Sequence, residues 1–297
     1  MCGIVGLFLK HPQREPQLGA LLASMLATVT ERGPDSAGFA VYGAPAEDLK
    51  ITLRGPNEAA LGAAIAALEA ATGRPFAAAL RDTHAVLPVP AGTEGEVRTW
   101  LSANAPGIDV VSAGRRMEIY KEVGLPEAVA TRFDLAGMAG SHGIGHTRMA
   151  TESAVTTSGA HPFSTGRDEC LVHNGSLSNH NDLRRRLTRA GLSFATQNDS
   201  EVAAGYLTWR MREGASLRQA LEASLSDLDG FFTFVVGTET GFAVLRDPIA
   251  CKPAVMAETE DYVAFGSEYR ALVGLPGIAA ASVFEPEPAR VYVWERH

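Results

Sequence analysis

The sequence predicts an α+β fold in which two β-sheets pack face to face and helices cover them from outside. Two observations carry this prediction. The strand candidates fall into sets separated by runs of helical periodicity, and two turn-bracketed strand pairs lie toward the C-terminus. The run from Cys2 to Leu9 is short and apolar with glycine breaks, which predicts a buried strand at the very start of the chain. From Leu18 to Thr30, apolar residues at Leu18, Leu21, Leu22, Met25, Leu26 and Val29 have helical spacing. Arg32-Gly33-Pro34-Asp35-Ser36 then breaks the helix, and Ala37–Tyr42 reads as a second strand.

Between about residues 44 and 139 the texture changes. Strands are predicted at Lys50–Arg54, Ala85–Val89, Asp109–Val111 and Met117–Val123, and helices at Asn57–Thr72 and Gly95–Ala103. This stretch reads as a small α+β insertion without a site of its own. Core strands follow at Ser141–Thr151 and Cys170–Leu177, and helices at Asn181–Ala190, Ser200–Arg212 and Ser216–Leu225. Phe231–Val236 with Gly241–Leu245 and Ala254–Ala257 with Tyr262–Phe265 form the two hairpins. A short helix is predicted at Ser267–Val273 and a last strand at Arg290–Trp294.

Composition narrows the function. The chain has 297 residues, 46% hydrophobic and 20% charged, which suffices for a full core. Its formal charge of −8 argues against a nucleic-acid partner. The Arg184-Arg185-Arg186 run reads as the solvated face of a helix. Three cysteines, Cys2, Cys170 and Cys251, do not make a disulfide framework. Reduced thiols and the lack of a signal-peptide pattern predict a cytoplasmic enzyme, and no apolar run approaches the length of a membrane helix.

Cys2 directly follows the initiator methionine. Small penultimate side chains commonly permit removal of that methionine, which leaves a cysteine with a free α-amine. The thiolate is then a nucleophile, and an amine of pKa ~7.7–8.0 can take and return its proton. Taken alone, Cys2 reads as a small apolar residue in a strand; the rest of the chain changes that reading.

Five ordered segments resemble the class II glutamine amidotransferases, a family of N-terminal-nucleophile hydrolases. They are Met1-Cys2-Gly3-Ile4-Val5-Gly6; Arg32-Gly33-Pro34-Asp35-Ser36-Ala37-Gly38; Gly145-His146-Thr147-Arg148-Met149-Ala150-Thr151 with Ala160-His161-Pro162-Phe163; Val172-His173-Asn174-Gly175-Ser176; and Asn198-Asp199-Ser200-Glu201. Arg246-Asp247-Pro248, Lys252-Pro253 and Ser267-Glu268 follow in family order. The resemblance implies a four-layer αββα sandwich, the N-terminal-nucleophile hydrolase fold, spanning the chain apart from the insertion at about 44–139. It also implies hydrolysis of L-glutamine through a thioester on Cys2.

On this resemblance, Asn174 and Gly175 form an oxyanion hole, where one donor is worth ~2.7–4 kcal/mol; in isolation the pair reads as a turn. Arg148 would hold the substrate α-carboxylate, which suits a guanidinium fork better than lysine. Asp199 would receive the α-ammonium, and its place before a helix also makes it a candidate N-cap. Thr151 and His161 match positions that hold the substrate or its loop; His161 also reads as a buried hydrogen-bonding residue. Arg32 would order the loop around Cys2. Arg246 and Lys252 are expected to tie down the second hairpin. His142, His146 and His173 lack a zinc spacing, so no metal is expected. The chain departs from the family pattern at Met149, Glu152 and Ala250-Cys251.

Nothing after Glu268 is long enough to be a synthase domain, so a partner chain that captures the ammonia is expected. The chain looks like the amidotransferase subunit of N-methylglutamate synthase, related to glutamate synthase. That resemblance implies a synthase partner bearing a flavin (FMN) and an iron–sulfur cluster, with no cofactor in this chain. Two other readings stay open: a hydrolase of another small amide, and a non-catalytic subunit that senses glutamine.

Overall fold

The computed structural model describes residues 2–150 and 154–296. Its first strand, β1 (Gly3–Leu9), is buried along its whole length because both of its faces are covered. Side chains alternate across a strand. Val5, Leu7 and Leu9 point to an outer helix layer, while Ile4 and Phe8 point to a second sheet. An all-apolar run is the sequence consequence.

Helix α1 (Leu18–Thr28) lays Leu18, Leu22, Met25 and Leu26 on that outer face. Strand β2 (Ser36–Tyr42) follows. The chain then leaves the sheet through β3 (Leu49–Arg54), α2 (Glu58–Thr72), β4 (Ala79–Arg81), β5 (His84–Val89), α3 (Glu94–Asn104) and β6 (Asp109–Gly114). These four strands form their own sheet in the order β4-β5-β3-β6, every neighbour antiparallel. A β-α-β-β-α-β chain in this order is the ferredoxin-like, split βαβ arrangement. Asn57 caps α2 by accepting the Ala60 N–H at 2.9 Å, and Gly73 closes it in the left-handed conformation at φ 65°. Leu61, Ile65, Val97 and Leu101 cover one face of the sheet. From the other face, His84 packs on Tyr120 and Phe133 of the main body.

Strand β7 (Met117–Val123) returns to the main sheet and pairs with β2. The separate sheet therefore ends at Gly114, and β7 belongs to the sandwich. The crossing is held by Asp168, whose carboxylate accepts the backbone N–H groups of Arg115, Arg116 and Met117 at 2.7–2.9 Å. Helix α4 (Pro126–Arg132) packs beside α1, and β8 (His142–Arg148) lies between β1 and β2.

The second half supplies β9 (Phe163–Gly166), β10 (Glu169–Leu177), α5 (His180–Arg189), α6 (Asp199–Arg212), α7 (Leu217–Asp227), β11 (Gly230–Gly237) and β12 (Gly241–Arg246). Last come β13 (Val255–Glu258), β14 (Tyr262–Gly266), β15 (Ser282–Phe284) and β16 (Val291–Glu295). The main sheets run β15-β13-β14-β1-β8-β2-β7 and β16-β12-β11-β10-β9. Between them lies a core of Ile4, Phe8, Ile144, Val172, Val235 and Phe242. Helices α5, α6 and α7 cover the five-stranded sheet through Leu183, Leu187, Val202, Tyr206 and Leu221. The layers are thus helix, sheet, sheet, helix, as the sequence predicts.

Candidate active site

The site lies at one end of the sandwich. There the start of β1 meets the end of β8, with the second half of β10 facing them and the start of α6 behind. Cys2 stands one residue before β1 and is half-buried. Its carbonyl oxygen accepts two hydrogen bonds: from Arg32 Nε at 3.0 Å and from Asn174 Nδ2 at 3.1 Å. Arg32 is braced in turn by Glu268, at 2.6 Å. That contact, first among the causes, holds the Glu268 carboxyl below the usual carboxylate range. Next along β1, the N–H of Ile4 donates to Ser267 Oγ at 2.9 Å. The nucleophile candidate is therefore fixed by its backbone; its thiol lies 3.9 Å from the Met149 carbonyl oxygen, and the residue lines a cavity of about 730 Å³.

Asn174 and Gly175 reach that cavity from β10. Gly175 has φ 154°, and a Cβ there would lie 2.0 Å from the carbonyl oxygen of Phe231, so only glycine fits. Asn174 spends one amide hydrogen on Cys2; the other is available to a substrate oxygen.

Arg148, at the end of β8, lines the opposite wall and is 6% exposed. One guanidinium nitrogen lies 3.4 Å from the carbonyl oxygen of Ala154. The turn at 32–38 shapes this segment: Asp35 accepts the Ala150 N–H at 2.8 Å, and a Cβ on Gly33 would come within 2.7 Å of Arg148 backbone atoms.

Asp199 lines the same cavity. It is not the helix cap. Asn198 caps α6 by accepting the Ser200 N–H at 2.9 Å, and Asp199 is the first helical residue. The extended backbone of Asn198 points its own side chain back at the helix, which leaves the Asp199 carboxylate to accept the Leu177 N–H at 2.9 Å. That carboxylate also lies 3.9 Å from His173 Nδ1.

His161 lines the cavity from the segment that follows residue 153. It stacks on His146 with ring centroids 3.9 Å apart, and neither ring nitrogen has a hydrogen-bond partner among the described residues. Among the described residues it makes no side-chain hydrogen bond of the structural kind. Burial, reinforced by the neighbouring histidines and Lys121, holds it neutral, and burial pushes His146 down to about 3. Thr151 lies outside the described residues. His142 stands apart from this group, stacked on Tyr42 and bonded to the carbonyl of Thr238. Among the described residues no group of three or more His, Cys, Asp and Glu side chains has a metal-binding arrangement.

Residues 146–274 match the family model described as a glutamine amidotransferase domain. The whole chain is similar to the glutamine amidotransferase-like protein GlxB of Rhizobium meliloti, 62% identical over 296 residues, covering 99% of this chain and 98% of that one. The chain belongs to the class II glutamine amidotransferases. This amidotransferase also resembles glutamine–fructose-6-phosphate aminotransferase (isomerizing) of Vibrio vulnificus. The identity there is 35% over 133 residues, 45% of this chain and 22% of the relative. Among solved structures it superposes on glutamine phosphoribosylpyrophosphate amidotransferase of B. subtilis with a TM-score of 0.63 at 20% identity. The match covers 99% of this chain and 47% of that one, and it shows the shared sandwich fold.

Two features of the amidotransferase's cavity differ from the sequence reading. Arg184 does not belong to a solvated face: it donates to the carbonyls of Thr196 and Asn198 and fixes a loop that lines the cavity. Helical periodicity places Arg184 beside two exposed arginines and carries no information about a loop twelve residues away. Arg246 ties down not the second hairpin itself but the loop that leads into it, through the carbonyls of Ala250 and Lys252, and also bonds that of Pro286. Lys252 does neither. Its backbone is held by Arg246, so its side chain is directed into the cavity wall, with the ammonium 5.0 Å from the centre of the Phe231 ring.

Proposed function

We propose that this chain hydrolyses L-glutamine by covalent catalysis at Cys2 and hands the ammonia to a synthase partner. One observation carries the reading: Cys2, Asn174, Gly175, Arg148 and Asp199, far apart in sequence, line a single cavity. After loss of the initiator methionine, the Cys2 α-amine takes the thiol proton. The thiolate attacks the side-chain carbonyl carbon of glutamine, and the oxyanion accepts hydrogen bonds from Asn174 Nδ2 and the Gly175 N–H. The α-amine returns its proton to the departing nitrogen, and ammonia leaves. Water then attacks the thioester, which releases glutamate and regenerates the thiol. Arg148 pairs with the α-carboxylate and Asp199 with the α-ammonium, so the site selects a free amino acid over a peptide amide. His161 is part of the wall around the bound substrate, Thr151 is assigned to substrate binding on the family resemblance alone, and Arg32 fixes Cys2.

The acceptor is a separate synthase subunit of the N-methylglutamate synthase or glutamate synthase type, and FMN and an iron–sulfur cluster belong to that partner. Support for this rests on the resemblance of the chain as a whole. The test joins mass analysis of the N-terminus to an ammonia-release assay on wild type and Cys2→Ala. The expected result is a chain beginning at Cys2, with turnover of glutamine abolished by the substitution. Turnover by protein that still carries methionine, or by Cys2→Ala, refutes the mechanism. Co-purification with a flavoprotein supports the partner assignment, and a lack of glutamine-dependent product in the joint assay refutes it.

A further inference from the structure

Lys121 is a buried lysine that the mechanism does not use. It lies on β7 with 7% of its surface exposed. Burial pushes its ammonium down to about 8. A charge is costly to bury unless it is paired or fully hydrogen-bonded. All hydrogen bonds of the Lys121 ammonium among the described residues go to three backbone carbonyls: Ala160 at 2.8 Å, and Ser158 and Pro162 at 3.3 Å each. The ammonium also lies 4.6 Å from the centre of the Phe163 ring. It forms no ion pair with a carboxylate there.

Every one of these acceptors belongs to one stretch of chain, residues 158–162, that is neither helix nor strand. Its other side is a wall of the cavity: Ser158, Gly159 and His161 line it together with Arg148. The approach to Arg148 is close, since a Cβ on Gly159 would sit 3.6 Å from a guanidinium nitrogen. Three carbonyl dipoles converging on one point repel one another unless a donor stands between them. A lysine ammonium is a compact charge with three N–H groups and meets that need; no neutral side chain of this length does.

We propose that Lys121 is a positioning residue of the glutamine site, holding the wall at residues 158–162 in the shape that keeps Arg148 and His161 on the substrate. The proposal rests on the assignment of this cavity to glutamine. Neighbouring Glu122 anchors the same segment from the opposite face of β7, accepting from the Thr157 hydroxyl and, at 3.2 Å, from that of Thr83. The wall is thus tied to β7, the strand by which the chain returns from the ferredoxin-like module to the edge of the sheet that contains β1.

The test uses the full chain with its processed N-terminus and compares wild type with Lys121→Met. Loosening a recognition wall removes binding shared by ground and transition states, so KM for glutamine should rise ~10-fold or more with kcat within ~3-fold. Alkylation of Cys2 is read in parallel. A diazoketone analogue of glutamine should label the variant at least ~10-fold more slowly at low concentration, while iodoacetamide, which needs no recognition wall, labels it at the wild-type rate. Where Lys121→Met does not fold, Lys121→Arg serves. A guanidinium fork cannot bring three N–H groups to one point, so KM should rise at least ~3-fold. Unchanged KM and unchanged diazoketone labelling overturn the proposal, as does a loss confined to kcat. If wild-type Cys2 reacts with iodoacetamide yet neither takes the diazoketone nor hydrolyses glutamine, the assignment of the cavity itself falls.

Discussion

Replacing Asn174 separates the bond that the structure shows from the oxyanion role proposed for it. Its side chain is buried, and one amide hydrogen bonds the carbonyl oxygen of Cys2 at 3.1 Å. Arg32 holds the same oxygen at 3.0 Å, so Asn174→Ala leaves Cys2 partly anchored. Loss of that bond costs ~0.5–1.5 kcal/mol. Loss of an oxyanion donor costs a further ~2.7–4 kcal/mol, but only in the transition state. Only the second term separates the transition state from the bound substrate, so kcat should fall by ~10²–10³ at 1.36 kcal/mol per decade, while the first lowers the stability of the folded chain. KM should change little, because the clamp of Arg148 and Asp199 is untouched. Asn174→Asp is nearly the same shape but sets an anion against both the Cys2 carbonyl and the developing oxyanion, so its loss should exceed that of alanine. The assay is steady-state ammonia release, with iodoacetamide labelling of Cys2 as the check on an intact nucleophile. A kcat within threefold of wild type, or a loss carried wholly by KM, refutes the assignment of Asn174 to the oxyanion.

Three further outcomes are expected. Arg148→Lys should raise KM for glutamine by ~10-fold or more, since a lysine cannot grip a carboxylate bidentately, and Asp199→Asn should do the same for the α-ammonium; glutamine titration of both variants checks this. Gly38→Ala places a Cβ 2.2 Å from the carbonyl oxygen of His161 and 2.5 Å from Lys121 Cβ. Overpacking of that kind costs ~1–3 kcal/mol of stability, measured by urea unfolding, and should push the 158–162 wall out of place. Burial pushes His142 and His146 down to about 3 from the ordinary 6.5. The unfolded chain takes up those protons and the folded chain does not, so stability is lost as pH falls below ~6.5, at about 2 kcal/mol per histidine by pH 5; equal unfolding free energies at pH 7 and pH 5 would contradict this.

The strands of the sandwich were legible because both faces of β1 and of much of β10 are buried, which gives short apolar runs that no solvent face interrupts. What escaped was short or irregular. Strand β4 has three residues, none of them buried, and strand β15 is equally short, so neither has a period to detect. Helix α4 begins at Pro126 directly after Gly124 and Leu125, a pattern that reads as a turn. The predicted helix at Ser267–Val273 contracts to one 3₁₀ turn at Tyr269–Ala271 because Ser267 and Glu268 are drawn away to Ile4 and Arg32. The candidate site residues that line the cavity stand in the family motifs, in which Cys2 and Asn174 sit next to glycines. Lys121 and Arg184 stand outside them. Each acts on a loop from another element, and a long-range hydrogen bond to a backbone carbonyl leaves no trace in local sequence.

That division has a physical basis. The chain around the nucleophile is held by several partners at once: Cys2, just before β1, by Arg32 and Asn174, Arg32 by Glu268, and Ile4 by Ser267. Such over-determination suits groups that must keep a fixed geometry through a reaction. The walls that meet the substrate are instead loops, each pinned by one or two charged side chains from outside it. Lys121 gathers the carbonyls of 158–162. Glu201 accepts the N–H groups of Ala195 and Thr196 at 2.7 and 2.8 Å, and Arg184 takes the carbonyls of Thr196 and Asn198. An anchor of the nucleophile that fails should therefore lower kcat, because the reacting atoms lose alignment. A loop anchor that fails should raise KM, because the reacting atoms stay in place while the cavity loses its fit to glutamine. The two classes of variant are distinguishable by which constant moves, and Glu201→Gln, which keeps the shape and removes the charge from two backbone N–H groups, belongs to the second.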